Sequence, residues 1–295
     1  MLPAVLLLLT EALSSCSAPS KTPVAMPFHG EAVIYDQYAQ CDAFVLKVTG
    51  APPSAGLVYQ AWLLGPHGPL SLGILTSKNG NIVFHWNSPK GSNLVQTYNA
   101  FETTWEPGPG SRTPTGKVVF SGQFPLLGAK LFRESGPAPQ APALGLQSQV
   151  DLSVEHAGMA KAAAQLEDWS EMKAHLEHVI NILEGRHGAL FGDYLGTGVP
   201  QNPGDGWGAK TYANEVKDLL LSAGHSSVTA VYQDFQVETN KVEDTCLAML
   251  KHFQGAKVPS LLAELTKTIT HLKTGPTREL YHLAQQTLTI PLERP

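Results

Sequence analysis

Leu57–Leu75 reads LVYQAWLLGPHGPLSLGIL, and Tyr98–Gly122 reads YNAFETTWEPGPGSRTPTGKVVFSG. In the first stretch Tyr59, Ala61 and Leu63 alternate with Gln60, Trp62 and Leu64. Apolar bulk on both alternations predicts a strand packed on both faces. Gly65-Pro66 breaks the run, and Leu70 opens a second one. Asn79-Gly80 then gives the type I′ hairpin signal, because both residues tolerate positive φ. Asn81–Trp86 is expected as the return strand. Reading outward, the same alternation predicts strands at Glu31–Asp36, Ala43–Val48, Ala100–Glu106 and Lys117–Gly122. About seven short strands with turn signals between them predict an antiparallel β-sandwich. Pro52-Pro53, Pro66, Pro89 and Pro107 fall between strands, where proline is tolerated.

After Pro125 the pattern changes. Leu126–Leu144 lacks periodicity and carries Gly136-Pro137-Ala138-Pro139, the composition of a linker. From Gly145 a helical period begins with Val150, Val154, Met159 and Ala163. Asp168 followed by Glu171 is a capping-box-like start. Behind it, Met172, Leu176, Val179, Ile180 and Leu183 recur at spacings of three and four. Gly185 ends that helix. Helices are expected at Ala209–Ala223, at Ser226–Gln254, from Pro259, and at Arg278–Leu288 after the Gly275-Pro276 break. The fold class is two-domain, β then α. A sandwich over 29–125 and a Pro-rich linker over 126–145 lead into an antiparallel helical bundle over 146–295.

The chain has 295 residues, net charge −5 and no long basic run, which argues against a nucleic-acid partner. Residues 1–28 are expected as a signal and tether. Val5–Leu9 is a short apolar run followed by Leu13-Ser14-Ser15-Cys16, similar to a bacterial lipoprotein signal with acylation of Cys16. That run is far below the ~20 apolar residues a bilayer span needs. Ser14 to Pro27 has tether composition. If Cys16 is acylated, Cys41 and Cys246 remain. They could pair outside the cytoplasm, but Cys246 lies on the apolar face of a helix, where a buried free thiol is the favoured reading.

Candidate chemistry is concentrated in the helical half. His175 and His178 stand at i and i+3, a spacing that lets two imidazoles share a metal or haem. At ~100° per residue His175 lies about a quarter turn from the apolar face and His178 further round, so both are expected to face the following loop or solvent. That loop, His187–Gly208, resembles a worn calcium loop. Asp193 and Gly198 fit the first and sixth positions, but Leu195 and Thr197 stand where carboxylates belong. A structured loop without an ion is the stronger reading. His175, His178 and Asp193 are the candidate metal ligands; no cofactor is otherwise expected. There is no His-Glu-x-x-His, no Gly-x-Ser-x-Gly elbow, no Walker or dinucleotide loop and no Cys-x-x-Cys-His. No enzymatic role is expected.

Three pieces of the β half resemble the extracytoplasmic C-terminal domain of anti-sigma-K factors. They are the Tyr59-Gln60-Ala61-Trp62-Leu63 strand, a Ser71-Leu72-Gly73 turn, and Thr104-Trp105-Glu106-Pro107 followed by Pro114-Thr115-Gly116. The resemblance implies a non-catalytic domain in the bacterial cell envelope. It would be membrane-anchored outside the cytoplasm and would sense or bind a protein partner in an anti-sigma-type system. The alternative is an envelope lipoprotein that holds a ligand or metal in its helical half.

Overall fold

The computed structural model describes residues 28–51 and 56–295. The signal, Cys16, the tether and Pro52-Pro53 lie outside the described residues. The first sheet contains β1 (His29–Tyr35), β2 (Ala43–Thr49), β5 (Ile82–Asn87) and β8 (Thr289–Pro291), in the order β5-β2-β1-β8. The second contains β3 (Val58–Gly65), β4 (Gly68–Leu75), β6 (Ala100–Glu106) and β7 (Lys117–Gln123), in the order β4-β3-β6-β7. All pairings are antiparallel. Tyr59 through Leu63 are all buried, as the two-sided pattern of β3 requires. Phe44 of the first sheet lies 5.0 Å from Phe101 of the second, ring centroid to centroid.

Asn79 and Gly80 do form the turn, with φ of 53° and 76°, and Lys78 pairs with Asn81 across it. The strands beyond it then part. β4 pairs with β3, whereas β5 crosses to the first sheet and pairs with β2. The expected return strand therefore does not return on its neighbour. The Ser71-Leu72-Gly73 piece is likewise no turn. Ala61 faces Gly73 while Trp62 faces Ser71, so Leu72 is the extra residue of a β-bulge.

The helices are α1 (Leu94–Thr97), α2 (Leu126–Phe132), α3 (Pro142–Gln165), α4 (Trp169–Glu184), α5 (Ala209–Ser222), α6 (Val228–Lys251), α7 (Val258–Leu272) and α8 (Arg278–Gln286). The segment read as a linker holds α2 and the start of α3. Leu131 and Phe132 of α2 are buried, and Phe132 meets Tyr281 edge-on at 5.5 Å. Arg133 donates to the Val95 and Tyr98 carbonyls at 2.8 and 2.6 Å. Two turns of helix are too few to show a period, and Pro142 sits in the first turn of α3, where its missing N–H costs nothing.

On α3 the buried stripe is Leu146, Gln149, Val150, Ser153, His156, Ala157 and Ala160, while Met159 is exposed. Of the expected positions Val150 and Ala163 are buried and Val154 is half-buried, so bulk marked this face in part, while small and polar residues fill the rest of it. Asp168 caps α4 by accepting from the Glu171 N–H at 3.0 Å, the cap that the sequence predicts. Cys41 and Cys246 are separate buried free thiols.

After α8 the chain adds a strand that the sequence reading lacks. β8 pairs with β1, Ile290 is fully buried, and Glu293 pairs with Ser121 of β7. Tyr281 of α8 also donates to Asp36 Oδ2 at 2.8 Å. Among the described residues no helix is long and apolar enough to cross a membrane.

Candidate functional site

Two polar constellations stand out, one in each half. In the β half the pieces singled out from sequence converge on the buried Glu106. Trp62 Nε1 donates to Thr104 Oγ1 at 2.9 Å, and Thr104 donates on to Glu106 Oε1 at 2.6 Å. The backbone N–H groups of Thr115 and Gly116 donate to Oε1 at 3.0 and 3.1 Å, and the Thr115 hydroxyl donates to Oε2 at 2.6 Å. Burial alone would raise this carboxyl, but the hydrogen bonds outweigh it and hold the pKa down at about 2. Gly116 passes so close to the Trp105 carbonyl that a Cβ there would lie 1.5 Å from the oxygen. Gln60 completes the knot, donating to Ser71 Oγ at 2.9 Å and to the Ser111 carbonyl at 3.0 Å. Glu106 is fully occupied in pinning the 107–116 loop onto β3 and β6. Its chemistry is structural.

In the helical half three imidazoles meet. His156 comes from α3; His175 and His178 come from successive turns of α4. His156 Nδ1 lies 2.9 Å from His175 Nδ1 and 3.3 Å from His178 Nδ1. Taking one potential ligand atom from each ring, all three lie within 4.8 Å of one another. The outer nitrogens are engaged elsewhere. His175 Nε2 is 3.2 Å from Glu171 Oε1, and His178 Nε2 is 3.1 Å from Gln201 Oε1. His156 is 8% exposed, so its ring is shielded, whereas the other two are half-buried. Burial, reinforced by the neighbouring His178 and His175, lowers the His156 pKa to about 4. Burial lowers His175 as well, against the opposing pull of Glu171.

The structure thus brings His175 and His178 together; His178 meets the following loop at Gln201, as expected, while the Nδ1 sides of both rings face His156 of α3, which packs on that flank of α4. Asp193 is not among the three. Its carboxylate accepts from the N–H groups of Thr197 and Gly198 at 3.1 and 2.6 Å, closing its own loop. His156 is the residue that sequence reasoning missed. A histidine in step with Gln149, Ser153 and Ala160 on a core-facing stripe was the available signal, but it needed the correct phase of α3.

The long loop is moored to α4 by three buried polar side chains, Glu177, Asn181 and Glu184, the last accepting from the Leu190 N–H at 3.3 Å. Glu177 accepts from the N–H groups of Tyr194, Leu195 and Gln201 at 2.8, 3.1 and 2.8 Å. Asn181 exchanges bonds with Gly192, accepting from its N–H at 2.9 Å and donating to its carbonyl at 3.0 Å. It also donates to the Gln201 carbonyl at 2.9 Å. Gln201, which touches His178 through its side chain, is therefore fixed by its own backbone at both N–H and C=O.

Residues 10–118 match the family model for the C-terminal part of the anti-sigma-K factor RskA. The match takes in β1 through β6 and ends inside β7, stopping short of every residue of the histidine cluster. No curated protein and no solved structure matches the chain.

Proposed function

We propose that this protein is a membrane-anchored, extracytoplasmic interaction module of an anti-sigma-type regulatory system. The observation that carries the reading is the family match over 10–118. Its support is the way the matched pieces assemble. Trp62, Thr104, Glu106 and Gly116 serve one another in the fold, as befits a recognition scaffold rather than a reaction centre. In this reading the two sheets, facing one another across Phe44 and Phe101, are an antiparallel β-sandwich, and α3–α8 are an antiparallel bundle docked on it. Acylated Cys16 tethers the protein to the bacterial envelope, and its macromolecular partner is a protein. The histidine cluster favours a second role for the helical half, as a ligand-holding module, alongside this one.

The test uses the full chain in its bacterial host. Native protein should fractionate with membranes, and Cys16→Ala should release it without loss of fold. Deleting the gene should shift a set of transcripts whose promoters share one sigma-factor signature. A native protein that stays out of the membrane fraction removes the anchoring. A deletion that leaves every such set unchanged removes the regulatory role.

A further inference from the structure

We propose that His156, His175 and His178 form a three-histidine centre for a divalent ion of the zinc class, bound through the three Nδ1 atoms with a fourth position open. This site lies outside the segment matched by the family model, and it stands or falls independently of the regulatory reading.

The reasoning begins with protons. Glu171 is a carboxylate and can only accept, so the His175 Nε2 facing it carries a proton. Gln201 presents its Oε1 to His178 Nε2, so that nitrogen carries one as well. A neutral imidazole has one N–H, which leaves the Nδ1 of both rings as bare lone pairs. Both point at one atom, His156 Nδ1, at 2.9 and 3.3 Å. That atom can supply one proton at most. Two lone pairs therefore compete for one N–H on the shielded His156 ring, an arrangement that hydrogen bonds among the three rings alone do not satisfy. A cation accepts all three lone pairs at once.

The spacing agrees. Zinc–imidazole bonds of about 2.0–2.1 Å in a tetrahedron place neighbouring donor atoms roughly 3.3 Å apart. The two separations from His156 Nδ1, 2.9 and 3.3 Å, lie at or slightly below that value, and donor atoms of the three rings all fall within 4.8 Å of one another, so the rings need only close on the ion. The outer partners agree too. A metal-bound histidine commonly donates its remote N–H to a carboxylate or a carbonyl-type oxygen, which fixes the tautomer and the ring plane. Glu171 and Gln201 stand in those positions. Imidazole donors suit zinc, copper, iron and nickel rather than calcium or magnesium.

The experiment is zinc binding by the full-length protein. After saturation with Zn²⁺ and gel filtration, elemental analysis should give about one ion per chain. His156→Ala, His175→Ala and His156→Gln should each weaken binding by more than about 100-fold, measured against a competing chelator. Asp193→Asn should bind like the native chain. Circular dichroism establishes that each variant is folded. Proton–nitrogen correlation on the native protein gives a readout that needs no variant. Zinc should shift all three Nδ1 resonances while the Nε2 atoms of His175 and His178 stay protonated. Failure to retain a stoichiometric ion would overturn the assignment, as would undiminished binding in the His156 variants. So would zinc-induced shifts at Nε2 in place of Nδ1.

Discussion

Glu106 and Gln201 show how single residues in this protein take their roles from the donors around them. The Glu106 carboxylate accepts from three hydroxyls, those of Thr104, Thr115 and Ser111, and from two backbone amides. Its pKa of about 2 lies below the value of roughly 4.3 for a free glutamate. The unfolded chain therefore binds the proton more readily, and acid draws the equilibrium toward it. This contribution is complete above about pH 4.5 and is lost as pH falls toward 2. Urea midpoints of the native protein should fall through that window, and Glu106→Gln should flatten the fall while lowering the midpoint at pH 7. Glu106→Ala orphans buried donors at about 1–3 kcal/mol each; a neutral-pH midpoint within error of native would refute the knot. Gln201 acts at one remove, through the His178 ring. Gln201→Ala should leave zinc stoichiometry at one while weakening affinity by about 10–100-fold, the usual effect of removing an outer partner. Unchanged affinity would mean that this contact does not orient the ring.

At the scale of elements, what the sequence revealed depended on how many residues each pattern had. β3 was legible because five consecutive buried positions satisfy a two-sided strand. α4 was legible because Asp168 and Glu171 mark its start and its apolar stripe runs unbroken. α2 has seven residues and was hidden inside a segment read by its prolines and glycines. The phase of α3 was hidden in part, for another reason. Gln149, Ser153, Ala157 and Ala160 share the buried stripe with Leu146 and Val150, so hydrophobicity alone marks only part of it. That partial reading concealed His156, and with it the third member of the cluster. α5 is held to α4 and α6 through Lys210. Its ammonium is paired with Glu184 and lies 2.7 Å from Glu243 Oε2, with both carboxylates almost fully buried. Burial pushes the Glu243 carboxyl up to about 8 even with the lysine present. At pH 7 Glu243 therefore holds its proton, and removing the cation leaves the buried Glu184 carboxylate without its counter-ion. Lys210→Met should therefore destabilise the protein by about 3–5 kcal/mol, read from urea melts at pH 7. Lys210→Arg, which keeps the charge, should recover much of that loss. Equal losses in the two variants would show that packing rather than charge holds the three helices.

Across the whole molecule, the chain end closes what the chain start opens. A β-then-α order suggests two units in series, yet β8 returns from the last helix to the edge of the first sheet. It pairs with β1 on one side, and Glu293 exchanges two backbone bonds with Ser121 on the other, each 2.9 Å. The same few residues thus span both sheets. Ile290 is fully buried and Leu292 nearly so. Gly122 leaves room for them, since a Cβ there would lie 2.5 Å from the Pro291 carbonyl oxygen. No three-residue strand carries an alternation long enough to read, and its partner lies far away in sequence, so this closure was invisible beforehand. Its mechanical consequence is that the helical half, and any ion held there, is coupled to the β half through α8 and β8. Ile290→Ala should cost about 2–5 kcal/mol, the range for a fully buried aliphatic side chain. Truncation after Leu288 should go further and split the unfolding. In the native chain, hydrogen exchange in β1 and β2 should slow when zinc is added, because binding to the folded state stabilises every segment that unfolds with it. In the truncated chain zinc should still protect α3 and α4 but leave β1 and β2 unchanged. Equal protection of the strands in both chains would mean that the coupling runs through α2 and the Tyr281–Asp36 contact instead, with β8 only covering the sheet edge.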